Sequence, residues 1–247
     1  MNKTIQILSI LSAVLLLTMI EPAFAGPGGK IASAMFQNFW GKIIVFVLII
    51  LFSPLILYTI IREYLAQRRT LNDLHQLAQI NPLFDWLTSR DRVTDCFYRI
   101  HAAWHKEDMA EASDWMTDWY WKNQQIVYLD QWAKEGLMNH CRVKKISDIT
   151  PLFLACRGDK KEPTGSRLVV SITAKIEDYL AKRETGEILE GKKGFSDVET
   201  IWTFVIQNNQ WKVANIEEGI LSLDYAQLTN ELPAYIKGYE MDSGKIF

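Results

Sequence analysis

Cysteine is scarce in this chain, and its scarcity excludes two classes of protein at once. Cys96, Cys141 and Cys156 are too few and too scattered for a disulfide framework, and no CxxC pair offers a zinc site. The odd number of thiols fits a reducing compartment. Glycine supplies only 13 of 247 residues, with no Gly-rich phosphate loop and no GxSxG elbow to seat a serine nucleophile. A basic surplus is also missing: 27 Lys and Arg stand against 29 Asp and Glu, a formal charge of −2. The first 61 residues hold three lysines and one glutamate, so the acidic excess falls on the remainder. General nucleic-acid binding needs a basic footprint to neutralise phosphates, and that footprint is absent.

Long apolar runs, by contrast, are present. Residues 1–25 open with Lys3, continue as an apolar stretch through Ile20, and end Glu21-Pro22-Ala23-Phe24-Ala25. The small residues at Ala23 and Ala25 after a proline break have the form of a secretory signal cleaved before Gly26. Residues 26–42 form a short external leader opening with Gly-Pro-Gly-Gly-Lys. Residues 43–61 are nineteen uncharged, apolar positions. At ~1.5 Å per residue they reach about 28 Å, close to the hydrocarbon thickness of a bilayer. Phe39, Trp40 and Tyr58 supply aromatic residues near the two ends. A cleaved signal followed by a stop-transfer helix leaves the bulk of the chain inside, and an uncleaved pair of spans does the same. The reading is a bacterial plasma-membrane protein with a cytoplasmic domain. Arg62, Arg68 and Arg69 beyond the span agree with that orientation and are candidates for contact with anionic headgroups.

Residues 62–90 read as a juxtamembrane helical linker, with apolar residues at Leu65, Leu71, Leu74, Leu77 and Ile80 and a stop at Asn81-Pro82. Helices are expected over residues 90–106, 108–120 and 123–137. From Cys141 the apolar period changes to two. Residues 142–147 and 151–155 read as parts of a first strand with an irregular joint, 167–177 as a clean alternating strand, and 198–207 with 210–217 as a hairpin about Asn208-Asn209. Helices first and a strand meander afterwards describe an α+β domain over residues 91–219. Residues 220–247 form a tail.

Three groups of residues could carry chemistry. His101 and His105 share a helix face at a spacing of four with Asp108 close by, but no third ligand is evident and the zincin pattern is missing. Asp178-Tyr179 at a strand end offers an acid and a hydroxyl for double-bond isomerisation in a cavity. The density of Trp104, Trp115, Trp119, Trp121 and Trp132, with Tyr120 and Tyr128 among them, exceeds what one packed helix face needs. It reads either as helix-to-sheet core or as an apolar surface for an acyl chain or peptide. The candidates for a pocket or partner surface are Trp104, Trp119, Tyr128, Trp132, Trp202 and Phe204. No pattern calls for a catalytic residue, a metal or a cofactor.

Several of these residues carry a family likeness. Ala103-Trp104 with Asp108, Gly136-Leu137-Met138-Asn139, Asp178-Tyr179, Thr185-Gly186, Gly191, Glu199-Thr200-Ile201-Trp202-Thr203-Phe204 and Trp211 leading to Asn215-Ile216 fall in order over residues 91–218. This stretch resembles the C-terminal domain of the forty-four-kilodalton subunit of the mitochondrial inner-membrane import translocase. The resemblance implies an α+β cone related to the nuclear-transport-factor-two superfold, with a long apolar groove. It also implies a non-enzymatic role: binding membranes, anionic lipid among them, and tethering a protein partner near translocases or ribosomes. The long charged arm that recruits the import motor's chaperone is lacking, and a spanning helix stands in its place, so a motor-tethering role does not transfer. The expectation is a membrane-anchored scaffold presenting a lipid-, peptide- or protein-binding domain. The alternatives are a structural subunit of an envelope or secretion complex and a small-ligand enzyme using the cone cavity.

Overall fold

The computed structural model describes residues 39–233, with side chains from Ile43 onward. The expected signal over residues 1–25, most of the leader and the end of the tail lie outside the described residues. The chain divides into two compact units, residues 1–60 and 61–247. One helix, α1 (Phe39–Ala78), contributes to both.

In the first unit, α1 is apolar on every side. Phe46, Leu51, Leu55 and Ile56 are all more than half exposed, which suits a lipid solvent and not water. The helix is long and apolar enough to cross a membrane. Pro54 lacks the N–H that would bond the Ile50 carbonyl, a gap that would be costly in hydrocarbon. The Ser53 hydroxyl fills it by donating to that carbonyl at 3.0 Å. Thr59 likewise turns its hydroxyl back onto Leu55 at 3.2 Å, so both polar side chains are satisfied within the helix.

The second unit is α+β. A 3-10 turn (Pro82–Phe84) leads into α2 (Trp86–Lys106), capped by Asp85, whose carboxylate accepts from the Thr88 N–H and hydroxyl, each at 2.9 Å. Val93, Cys96, Phe97, Ile100 and Ala103 recur at helical spacing and are buried. Glu107, in the left-handed conformation at φ 60°, ends the helix. The helix expected over 108–120 is instead a 3-10 turn (Met109–Ala112), a further turn over 113–115 and a bridge at Met116, with helix resuming only at Asp118. Residues 115–117 bond β5 there: Thr117 N–H donates to Val213 and Val213 N–H to Trp115. Covering a sheet edge outweighs local helix preference at this point.

The next helix is broken into α3 (Asp118–Gln124), one π turn (Gln125–Leu129) and α4 (Asp130–Lys134). Five antiparallel strands follow: β1 (Leu137–Ala155), β2 (Arg167–Lys182), β3 (Ile188–Gly191), β4 (Ser196–Gln207) and β5 (Gln210–Glu218). The order is β1-β2-β4-β5, with β3 pairing the end of β2. The irregular joint in β1 is three register shifts within one 19-residue strand, and these bend the long β1–β2 hairpin. Asn208 and Asn209, at φ 52° and 57°, make the tight turn expected between β4 and β5.

Both sheet faces are covered. Leu168, Val170, Ile172, Ala174, Trp202, Phe204, Ile206 and Val213 pack under α2 and the end of α1, where Leu74 and Leu77 join the same core with Phe84. On the opposite face Leu152, Phe153, Val169 and Ile201 pack with Ala66 of α1 and with Leu221, Tyr225 and Ala226 of the segment containing α5 (Ser222–Gln227). The segment beyond α5 is tied in by Asn230. Its side chain bonds Asp73 at 2.6 Å, Thr70 at 3.2 Å and the Leu154 N–H at 2.9 Å. The Glu231 backbone also pairs with the end of β1, donating to Leu154 and accepting from Cys156 just beyond the strand. Ser222 donates to Glu63 at 2.7 Å.

Candidate partner-binding surface

The π turn gives the helical layer its exposed ridge. Ile126, Val127, Tyr128 and Leu129 are four consecutive apolar residues, too many for one helix face to bury. Leu129 goes inward, while Ile126, Val127 and Tyr128 are 65%, 51% and 41% exposed. Gln125 holds the bulge: its side-chain Oε1 accepts from the Met109 N–H at 2.9 Å, and its side-chain Nε2 donates to Asp130 at 2.7 Å. About two turns earlier Trp119 is 69% exposed. Behind Tyr128 stand Trp104 of α2 and Trp132 of α4, with ring centroids 5.7–6.1 Å apart in a mutually tilted trio. Such aromatic contacts hold the base of the ridge rigid while its crest stays in water.

Four of the six residues expected at a pocket or partner surface, Trp104, Trp119, Tyr128 and Trp132, thus lie on this layer. Trp202 and Phe204 do not. They are 1% and 0% exposed, enclosed in the core against Phe97 at 5.1 Å and against each other at 6.3 Å. An interior strand position facing α2 cannot offer a ring to a partner. Ile126 and Val127 were not singled out from the sequence, although their four-residue apolar run was the available signal.

The imidazoles have separate environments. His101 packs beside Phe97 and Trp202, with ring centroids 4.1 and 5.8 Å away, and bonds the Phe97 carbonyl at 2.7 Å through Nδ1. Burial pushes its pKa down to about 4, so it is a neutral core group that donates Nδ1–H. His105 is exposed, its ring 6.3 Å from that of His140, which stacks on Tyr179 at 4.5 Å. Among the described residues no three His, Cys, Asp or Glu side chains come together as a metal site. Asp178 and Tyr179 are adjacent on β2 and therefore point to opposite sheet faces, so they cannot converge on one substrate. The interior of the cone is filled by Trp202, Phe204 and their neighbours. A depression of about 570 Å³ lies elsewhere, lined by His75, Ala78, Gln79, Pro82, Leu83, Asp85 and Thr88.

Of the three arginines expected at a membrane surface, Arg62 and Arg69 are half-buried and close enough to feel each other's charge, with Asp73 beside Arg69. Arg68 is exposed, its guanidinium 5.9 Å over the Tyr64 ring. The three therefore do not share one face.

A bent antiparallel sheet with helices packed across one face and a solvent-facing aromatic ridge define an α+β module. Residues 72–218 match the Tim44-like domain, and the chain belongs to that family. No curated protein matches it by sequence. Among solved structures it is similar to the intermembrane space region of the chloroplast protein ARC6, at 12% identity and a TM-score of 0.39, over 54% of this chain and 95% of that one. It is also similar to AclR, a putative hydroxylase from Streptomyces galilaeus, at 11% identity and a TM-score of 0.23, over 63% and 99% of the two chains.

Proposed function

We propose that this protein is a membrane-anchored, non-catalytic scaffold whose Tim44-like domain holds a protein partner at the cytoplasmic face of a bacterial plasma membrane, in protein transport or in assembly of a membrane complex. The observation that carries the reading is the ridge of Trp119, Ile126, Val127 and Tyr128. Monomeric domains seldom leave such a row of large apolar side chains in water unless something docks there. The apolar helix through residues 43–61 supports anchoring, and the Tim44-like family supports a transport setting. The filled cone and the separation of Asp178 from Tyr179 favour binding over catalysis. Arg68, exposed beyond the span, is the remaining candidate for an anionic headgroup.

Site-specific photocrosslinking in the intact membrane tests this. A photoreactive residue at position 126 or 127 should give a discrete protein adduct, and one at Lys161, in the loop bonded to Asn81 at the other end of α2, should not. Equal, diffuse labelling from all three positions would remove the ridge from consideration.

A further inference from the structure

The connection between β3 and β4, which pair with successive parts of β2 and not with each other, carries a second exposed feature, and this one is basic. Its loop is Lys192-Lys193-Gly194-Phe195. Gly191, at φ +76°, lies so close to the Asp178 carbonyl that a Cβ would overlap it. Gly194, at φ +101°, donates its N–H to Glu177 Oε1 at 2.6 Å. Two glycines and one carboxylate therefore set the loop, leaving both lysines exposed. Phe195 lies against β1, with the Arg142 guanidinium 5.8 Å and the Lys144 ammonium 5.7 Å from its ring. Glu177 is mostly buried, its Oε2 3.7 Å from Arg142. Asp197 stands opposite Lys175 in the strand register, and Glu190 acts on Asp178, on the other sheet face. Arg142 and Lys144 thus flank the ring and Lys192 and Lys193 stand on the loop before it, while Glu177 is already engaged by Arg142 and Gly194, on a chain whose net charge is −2.

We propose that this corner docks an acidic, extended segment of a protein partner. Carboxylates would pair with Lys192, Lys193, Arg142 and Lys144, and an apolar side chain of the segment would lie on the exposed edge of Phe195. Charge complementarity selects an anion, and the fixed geometry selects the class. Phe195 is only 36% exposed and lies 5.7–5.8 Å from two cations, so little of its ring is free to bury in a bilayer. Four cations within an acidic chain fall short of a nucleic-acid footprint. The inference rests on the scaffold reading only in taking a protein as the occupant, since the ridge and this corner are separate surfaces.

The test uses the full chain in phosphatidylcholine nanodiscs, with a short fluorescein-labelled oligo-glutamate peptide followed by anisotropy. The wild type should bind, and binding should weaken steeply as salt rises. K192E/K193E should lose about tenfold or more in affinity, as expected for reversal of two contacting charges. K160E/K161E makes the same charge change on another loop and should bind as wild type does. I126E/V127E should also keep the peptide, which separates failure here from failure of the ridge. Absence of wild-type binding, or equal loss in both lysine double variants, overturns the proposal. So does a K192E/K193E defect seen only with phosphatidylglycerol vesicles, which would make the corner a bilayer contact.

Discussion

Replacing Asn230 with alanine should loosen the second unit at the point where its first helix meets its last segment. The side chain is 9% exposed and serves three buried groups. It donates to Asp73 at 2.6 Å, accepts from the Leu154 N–H at 2.9 Å, and exchanges a hydrogen bond with Thr70 at 3.2 Å. Truncation leaves Asp73, itself 9% exposed, short of a donor and strips the Leu154 amide of its acceptor. Each deprived buried group costs ~1–3 kcal/mol, so the two together cost about 2–6 kcal/mol. That is a large share of the ~5–15 kcal/mol typical of a folded domain. Tryptophan fluorescence during urea unfolding of the full chain in mild detergent reads the change directly. Asn230→Ala should shift the midpoint strongly downward, and Thr229→Ala, at an exposed neighbour, should leave it in place. A loss below ~1 kcal/mol for Asn230→Ala would refute the view that this cluster clamps the helix.

Other outcomes follow from the same packing. A fragment beginning at Ile61 should fold, whereas one beginning at Asp91 should aggregate or unfold, because it lacks Leu74, Leu77 and Phe84, which are at most 2% exposed; circular dichroism and gel filtration distinguish them. His101, held neutral with a folded pKa of about 4 against an ordinary 6.5, takes up its proton more readily once unfolded. Stability should therefore be full above pH 6.5, fall as pH drops toward 4 and level off below; His101→Gln should flatten that slope in acid titration. Burial raises the Cys96 thiol to about 12 and pushes Cys141 up as well. Ellman's reagent should find Cys96, Cys141 and Cys156 unreactive in the native protein and all three reactive in denaturant.

Parts of this architecture were legible because their periodicity was undisturbed. β2 reads cleanly since it is paired on both sides and alternates from Leu168 to Ile176 without a bulge. β1 reads as two pieces because each register shift exchanges inward and outward positions, so no single alternation runs through it. β3 has four residues, largely exposed, and exists through pairing set up at Gly191; no local pattern could announce it. The third and fourth helices were misplaced for opposite reasons. Residues 115–117 gave up helix to cover β5, and the Ile126–Leu129 run was split by a π turn that keeps three of its apolar residues outside. Composition located the aromatic density, but only the fold divides it into a ridge at Trp119 and Tyr128 and a core at Trp202 and Phe204. The polar side of residues 62–80 suggested a linker, whereas Thr70 and Asp73 are buried against Asn230, a partner 157–160 positions away that sequence spacing cannot reveal.

Co-purification from membranes in mild detergent, with wild type and I126E/V127E in parallel, tests the central claim most directly. The wild type should emerge with a stoichiometric protein partner. The variant should emerge without it while keeping wild-type circular dichroism and its urea midpoint, since both altered side chains already face water. A wild-type protein that elutes alone, or a variant that keeps the same partner at the same stoichiometry, would contradict the claim that the ridge is where this scaffold holds its partner.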